Sequence, residues 1–414
     1  MSLTEAFDQA YPKITGELRE VFTPYRVCPI GAHVDHQYGL ITGFALDRGV
    51  TMLYHPEDTV VVRLRSINFD GEAVFAADGR SRAHGDWGDY ARAAAWALTK
   101  AGHQLERGFT GVIAGTLPIG GLSSSAAVVI TYIQAFCREN GIRLSDRELI
   151  EIALSAENGF IGLSVGKLDQ SCEVLSRKDC LLSLDTLDDS FERIPRAANL
   201  PDFEIAVFFS GLERSLVGSK FNARVDELKA AAYALMAESE MDYGRFADAR
   251  LRLVPRDVFE CYKHRLPENW RRRATHFYTE FERALRGVAA WRRGDLLDFG
   301  ACVFESGHSS IYNYETGSPE LKALYEAMRG TDGVYGGRFS GAGFKGCCMA
   351  LVDPSYKEEI ERKVTAEYLR QFPVLEGKYS VHFCRTADGC GASVGDAPSD
   401  GDGPSARCGE GRKV

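Results

Sequence analysis

The sequence predicts a two-lobed α+β protein, and three observations carry that. The chain has 414 residues, more than one ordinary domain needs. Strand-like and helix-like segments alternate through its first half. A second series of strands and helices begins near Leu200, so the expected lobes are residues 1–199 and 200–385.

The elements follow in order. Val60 to Ile67 reads as a strand, and alanine-rich Asp89 to Lys100 as a helix. The apolar run Gly108 to Ala114 is a strand, and Val128 to Cys137 a helix. Asp146 to Phe160 is a helix capped by Ser145, with Glu148 three residues later as its capping-box partner. Past Leu200, Phe203 to Ser210 and Gly346 to Val352 are apolar strands. Ala223 to Glu240, Ala274 to Arg293 and Tyr356 to Arg370 are helices. There is no internal repeat. From Thr386 the chain turns rich in Gly, Ser, Asp and Pro, so 386–414 is expected to be a disordered tail.

Composition narrows the function. The hydrophobic fraction of 45% supports a full core. A net charge of −9, with both signs spread along the chain, argues against a nucleic-acid surface. No apolar run is long enough to span a membrane and no targeting signal is visible, so a cytoplasmic protein is expected. The 11 cysteines are scattered without zinc spacing, which favours reduced, mostly buried thiols over a disulfide framework.

The most informative stretch is Leu117-Pro-Ile-Gly-Gly-Leu-Ser-Ser-Ser-Ala-Ala127. Pro118, Gly120 and Gly121 mark a turn, and Ser123, Ser124 and Ser125 stand where a helix begins. Free N–H groups, partial positive charge and small residues at a helix start suit a phosphate. A serine there is also the commonest kind of N-cap, and that reading stands beside the first.

Three companions sharpen it. Tyr25 to Gly39 clusters Arg26, His33, Asp35 and His36 beside Gly31 and Gly39. A metal site there would need further ligands with no obvious source, whereas Asp35 and the histidines suit a hydroxyl-rich ligand. Gly159 to Gln170 places three glycines before Asp169, a general base or a helix cap. Glu157, just upstream, is an oxygen ligand suited to Mg²⁺. Gly336 to Leu351 is a glycine-rich loop entering a strand.

Together these residues resemble the GHMP family of small-molecule kinases. Gly121-Leu-Ser-Ser-Ser-Ala-Ala127 looks like its ATP-phosphate loop, and Arg338 to Cys347 like its C-terminal glycine loop. Arg26 to Gly39 is similar to the sugar signature of the galactokinase branch, and Gly166-Lys-Leu-Asp-Gln170 resembles the segment bearing its catalytic Asp. The resemblance implies an N-terminal lobe like ribosomal protein S5 domain 2 and a ferredoxin-like C-terminal lobe, with the active site between them.

It also implies roles. Asp169 and Arg26 would be catalytic. Ala32, His33, Asp35 and Phe221 would face the sugar. Gly120, Gly121, Leu122, Ser123, Ser124, Ser125 and Ala126 would hold the ATP phosphates, with Gly341 and Gly343 in the second loop. Ser124 or Ser125, with Glu157, would bind Mg²⁺. Trp87 is a candidate wall for adenine, set against a place in the core.

The chain departs from the branch in three places. Galactokinases have Gly-Glu-His where this chain has Gly31-Ala-His33, and that Glu meets the sugar's 6-hydroxyl. Plant galacturonokinases share the alanine. Phe221 replaces a usual Tyr, and the loop between Pro118 and Gly121 is one residue short. A carboxylate at C6 would be repelled by an opposing Glu, so a galacto-configured sugar acid is the expected substrate. Galactose, or a non-catalytic sugar and ATP sensor, are the alternatives. Arg65, Lys167 and Lys220 are unranked candidates to meet that carboxylate. No nucleic-acid or membrane partner is expected.

Overall fold

The computed structural model describes residues 2–118, 121–212 and 221–391, with Phe221 in its backbone only. In chain order the elements are α1 (Leu3–Ala10), β1 (Arg19–Val27), β2 (Leu40–Pro56), β3 (Val61–Ser66), β4 (Glu72–Ala76), α2 (Asp89–Lys100), β5 (Phe109–Gly115), α3 (Ser124–Glu139), α4 (Asp146–Ser155) and α5 (Leu168–Leu175). Then come β6 (Cys180–Asp185), β7 (Ser190–Pro195), β8 (Glu204–Phe209), α6 (Phe221–Glu238), α7 (Arg256–Tyr262), α8 (Glu268–Arg293), α9 (Leu296–Tyr312) and α10 (Pro319–Arg329). The series closes with β9 (Val334–Phe339), β10 (Cys347–Val352), α11 (Lys357–Gln371), β11 (Ser380–Cys384) and β12 (Thr386–Ala387).

Two sheets organise the molecule. One has the path β4-β3-β5-β2-β6-β7, with β1 and β12 also paired to β2. The other is the antiparallel order β11-β8-β10-β9. Strands β8 and β10 are buried at every position, which explains their unbroken apolar sequences. Their side chains still alternate. Ile205, Val207, Cys347, Met349 and Leu351 enter the main core, while Ala206, Phe208, Cys348, Ala350 and Val352 enter a second core under α10 and α11. Adjacent Cys347 and Cys348 therefore point to opposite faces, and the ten cysteines among the described residues are all free thiols.

The main core runs between the sheets. Trp291 of α8 packs on Phe44 of β2 at 5.4 Å between ring centroids and donates from Nε1 to the Ile194 carbonyl at 3.0 Å. That contact brings a helix of the second half against the first sheet, where it supports the site described below.

Two expectations change. The helix read as Asp146 to Phe160 keeps its Ser145–Glu148 capping box but ends at Ser155, and Ala156–Ile161 continues as a π-helical turn. Glu157 and Gly159 sit in that turn, where Gly159 lies against the Trp96 ring. The tail also starts later than expected. Thr386 and Ala387 pair with Leu46 and Ala45 of β2, and Cys390 is buried. Residues 392–414 lie outside the described residues, as does Gly120 of the phosphate loop. Among the described residues, no helix is long and apolar enough to cross a membrane.

Candidate active site

Helix α3 starts at the bottom of a cavity of about 480 Å³. Its first turn holds no acidic residue, and its N-cap, Ser123, adopts a left-handed conformation with φ 58° and caps nothing with its side chain. The Ser123 hydroxyl is buried and has no hydrogen-bond partner among the described residues. An ordinary cap would spend that oxygen on the N2 or N3 amide. Here the hydroxyl stands at the cavity with the open helix end, the combination an anion requires. Ser125 lines the cavity as well. Ser124, Leu122 and Ala126 do not, and the last two are buried behind it.

Gly121 has φ +85°, and a Cβ there would meet Cys347 Sγ at 2.7 Å and the Ser340 carbonyl at 3.1 Å. The phosphate turn is thus packed backbone to backbone against the second glycine loop, where Gly341 and Ala342 line the same cavity and Gly343 lies just behind. The glycine requirement at 121 comes from that joint rather than from room for a phosphate.

Arg26, on β1, ties the parts together. Its Nε and Nη2 both donate to Oδ1 of Asp169, at 2.8 and 2.6 Å. Its Nη1 donates to the Gly121 carbonyl at 3.3 Å and to Ser340 Oγ at 3.4 Å. Burial works against the Arg26 charge, but the Asp169 carboxylate outweighs it and holds the guanidinium above its ordinary value. Asp169 lies in the first turn of α5, one quarter exposed to the cavity. Its Oδ2 receives no hydrogen bond among the described residues, so one oxygen is fastened and the other is open.

The facing wall is Ala32, His33 and Asp35. It is held from behind by α8. Glu280 accepts from the Gly31 amide at 2.7 Å, and His276 donates from Nε2 to the Ala32 carbonyl at 3.0 Å. A carbonyl only accepts, so His276 carries its proton on Nε2 and Nδ1 accepts from Ser309 Oγ at 2.9 Å. Burial pushes His276 down to about 4, so it stays neutral. His33 sits at φ 66° and stacks on Tyr314 with ring centroids 4.3 Å apart. Burial also pushes His33 well down, and its Nε2 is unpartnered among the described residues.

Asp35 accepts from the Leu168 amide at 3.3 Å, and a Cβ on Gly166 would strike its Oδ2 at 2.2 Å, so a glycine is required for that approach. Burial first, then the Asp169 charge, raises Asp35 to about 6. Glu157 lines the cavity, nearly inaccessible, and accepts from Gln170 Nε2. Among the described residues no group of three His, Cys, Asp or Glu forms a metal cage. A buried carboxylate lining the same cavity as Ser125 still fits Mg²⁺, which takes one or two protein oxygens and completes its shell with phosphates and water.

The structure thus gathers Arg26, Ala32, His33, Asp35, Gly121, Ser123, Ser125, Glu157, Asp169 and Gly341 around one cavity. Trp87 is not part of it: partly buried at the core's edge, it donates from Nε1 to the Asp70 carbonyl at 3.1 Å. Arg65 pairs with Glu72 on the β3–β4 ribbon, Lys167 pairs with Glu151 and Asp189, and neither lines this cavity; Lys220 lies outside the described residues. Sequence reasoning missed Arg224, Glu315, Thr316 and Ser318 as cavity residues. The signal present was Ser318-Pro319, a helix-start pair that caps α10 and brings the preceding loop to the cavity rim.

An open helix end facing an arginine-anchored carboxylate, beside a hydroxyl-accepting wall, is the equipment of a small-molecule phosphotransferase. Residues 89–177 match the model of the GHMP kinases N terminal domain, and residues 284–370 that of the GHMP kinases C terminal domain. The chain is 37% identical to a galacturonokinase of Arabidopsis thaliana, over 94% of this chain and 96% of that one. It is 33% identical to a galactokinase of Roseiflexus sp. (strain RS-1), over 92% and 98%. The crystal structure of Lactococcus lactis galactokinase complexed with galactose superposes with a TM-score of 0.84 at 27% identity, covering 94% of this chain and 98% of that one. The chain belongs to the GHMP kinase family, and it is an ATP-dependent sugar kinase.

Proposed function

We propose that this enzyme transfers the γ-phosphoryl group of ATP to the anomeric hydroxyl of D-galacturonate, giving galacturonate 1-phosphate. The observation that carries the choice of sugar is Ala32. Its small side chain stands on the cavity wall, so no carboxylate opposes a C6 carboxylate there. The likeness to a galacturonokinase along nearly the whole chain supports the same choice.

The open Oδ2 of Asp169 accepts or orients the proton of the C1 hydroxyl. The C1 oxygen bonds to the γ-phosphorus while the bond from that phosphorus to the bridging oxygen breaks, and ADP leaves. Arg26 steadies Asp169 and offers positive charge to the transferring group. The amides at the start of α3, with Gly121 and the serines, hold the phosphates. Of the two serines only Ser125 lines the cavity, so Ser125 rather than Ser124 would hold Mg²⁺ with Glu157; the ion, when bound, neutralises phosphate charge. Asp35 and His33 receive the sugar hydroxyls. Phosphoryl transfer asks mainly for positioning and charge stabilisation, and this set supplies both. The reading takes residues 1–199 and 200–385 as the two lobes.

Galactokinase activity is the second reading, favoured by the 0.84 TM-score to a galactose-bound relative. A coupled assay of ADP release across galacturonate, galactose, glucuronate and arabinose separates the two. The highest kcat/KM is expected on galacturonate, and a preference for galactose would replace the reading.

A further inference from the structure

Resting on the galacturonate reading, we infer that Arg224 is the cation that receives the sugar's C6 carboxylate. The argument starts from a charge count. Arg224, Arg272 and Arg273 share two carboxylates, Glu227 and Glu315. Glu227 takes Arg273 Nε at 2.8 Å and Arg224 Nη1 at 3.0 Å. Glu315 takes Arg272 Nη1 at 2.6 Å and Arg273 Nη2, and reaches Arg224 Nη2 only at 3.7 Å. Three guanidiniums against two carboxylates leave one positive charge.

That surplus is placed at the cavity. Arg273 is fully buried and satisfied by Glu227, Glu315 and the Asn313 carbonyl. Arg272 is spent on Glu315 and the Tyr312 carbonyl outside the cavity lining. Arg224 alone of the three lines the cavity, and its buried Nε has no partner among the described residues. A weakly held Nη2 beside an empty Nε is the fork that a carboxylate fills with two parallel bonds.

The position fits as well. Arg224 lines the same cavity as Ala32 and His33, and the His33 ring is held by its stack on Tyr314. The cavity's other cations have other claims. Arg26 is bound to Asp169, and Lys345 is an exposed residue of the glycine loop packed on the phosphate turn.

The test compares Arg224→Gln and Arg224→Lys with the parent enzyme on galacturonate and galactose, with melting temperature and ATP affinity recorded for each. The parent is expected to prefer galacturonate. In Arg224→Gln, kcat/KM on galacturonate should fall at least about 30-fold further than on galactose, as when one partner of a buried charge pair is removed. Arg224→Lys keeps the charge without the fork and should lie between. A parent preference for galacturonate with equal losses on both sugars overturns the role of Arg224 alone. A parent preference for galactose overturns the substrate reading and this inference together.

Discussion

The proposed phosphate end of the cavity and its proposed sugar end are built on opposite principles. At the phosphate end one contiguous stretch, Gly121 to Ser125, offers backbone amides and hydroxyls with no ionised side chain of its own. At the proposed sugar end, charged or polar groups arrive from β1, the 30–37 loop, α5, α6 and the 315–318 loop, and α8 fastens the Gly31 amide and the Ala32 carbonyl from behind. The first solution suits every nucleoside triphosphate in the same way. The second can be retuned one side chain at a time, and that is where substrate choice belongs.

The largest blow to this contrast comes from Asp169, the proposed base for the hydroxyl that attacks the transferred phosphoryl. Asp169→Asn keeps the shape and removes the base. Turnover should drop by a factor of about 10² to 10⁴, with ATP binding retained in calorimetry. Turnover within a few-fold of the parent in a folded variant would take the base away from Asp169.

Ala32→Glu retunes the wall instead of disabling it. Two like charges about 4 Å apart repel by roughly 4 kcal/mol at an effective dielectric of 20, part of which solvent and protonation relieve. A loss of about 10- to 100-fold in kcat/KM is expected on galacturonate, while galactose holds or improves by donating its 6-hydroxyl. An unchanged ratio of the two sugars would strip Ala32 of its part in selectivity.

Much of this was legible because the chemistry was contiguous. Ser123 to Ser125, Ala32 to Asp35 and Gly166 to Gln170 each read as a unit, and each reached the cavity. The strands and helices read from period and caps also formed, with boundaries off by a few residues. What failed was chemistry made by the backbone or by distant pairing. The 17-residue strand β2 escaped notice because Asp47-Arg48-Gly49 interrupts its apolar run. Thr386 and Ala387 looked like tail by composition, yet a strand joins a sheet through amides and carbonyls that composition does not register. Arg224 is an ordinary helix cation until Glu227, Glu315 and Arg273 are brought around it.

A gentler probe of the same contrast is pH. Asp35 is raised to about 6 by burial and by Asp169, so below that pH it is protonated and loses an acceptor for the sugar hydroxyls. The kcat/KM for sugar should therefore fall as pH drops through about 6, whereas ATP affinity, resting on amides, should not follow. An absence of any inflection between pH 5 and 7 would remove Asp35 from sugar binding.

The smallest effect expected is on stability. Glu173, one helical turn beyond Asp169, is fully buried with neither carboxyl oxygen partnered among the described residues. Burial first, then the Asp169 and Glu157 charges, hold it well above the carboxylate range, with Arg26 opposing. A folded value above the unfolded one means a contribution complete below the unfolded value of about 4.3 and lost as pH rises toward the folded value. Glu173→Gln should melt near the parent at pH 4.5 and above it at pH 8, by about 2 °C or more. A variant that melts lower than the parent at pH 8 would show the carboxylate to be needed in its ionised form.

The segment after β12 sets an order of events in synthesis. The Gly389 amide donates to the Ser176 carbonyl at 2.8 Å, Cys390 to Glu173 at 2.9 Å and Gly391 to Val174 at 3.1 Å. Glu173 and Val174 lie in the last turn of α5, the helix whose first turn carries Asp169, and Ser176 is its C-cap; a helix cannot satisfy these carbonyls from within. As the polypeptide leaves the ribosome, that helix emerges early, and its Glu173 and Val174 carbonyls wait for the residues up to Gly391. The nascent first half is thus an unfinished object: Arg193 closes the Leu175 carbonyl, but the rest of the end of the helix that carries Asp169 is closed by the far later residues 389–391.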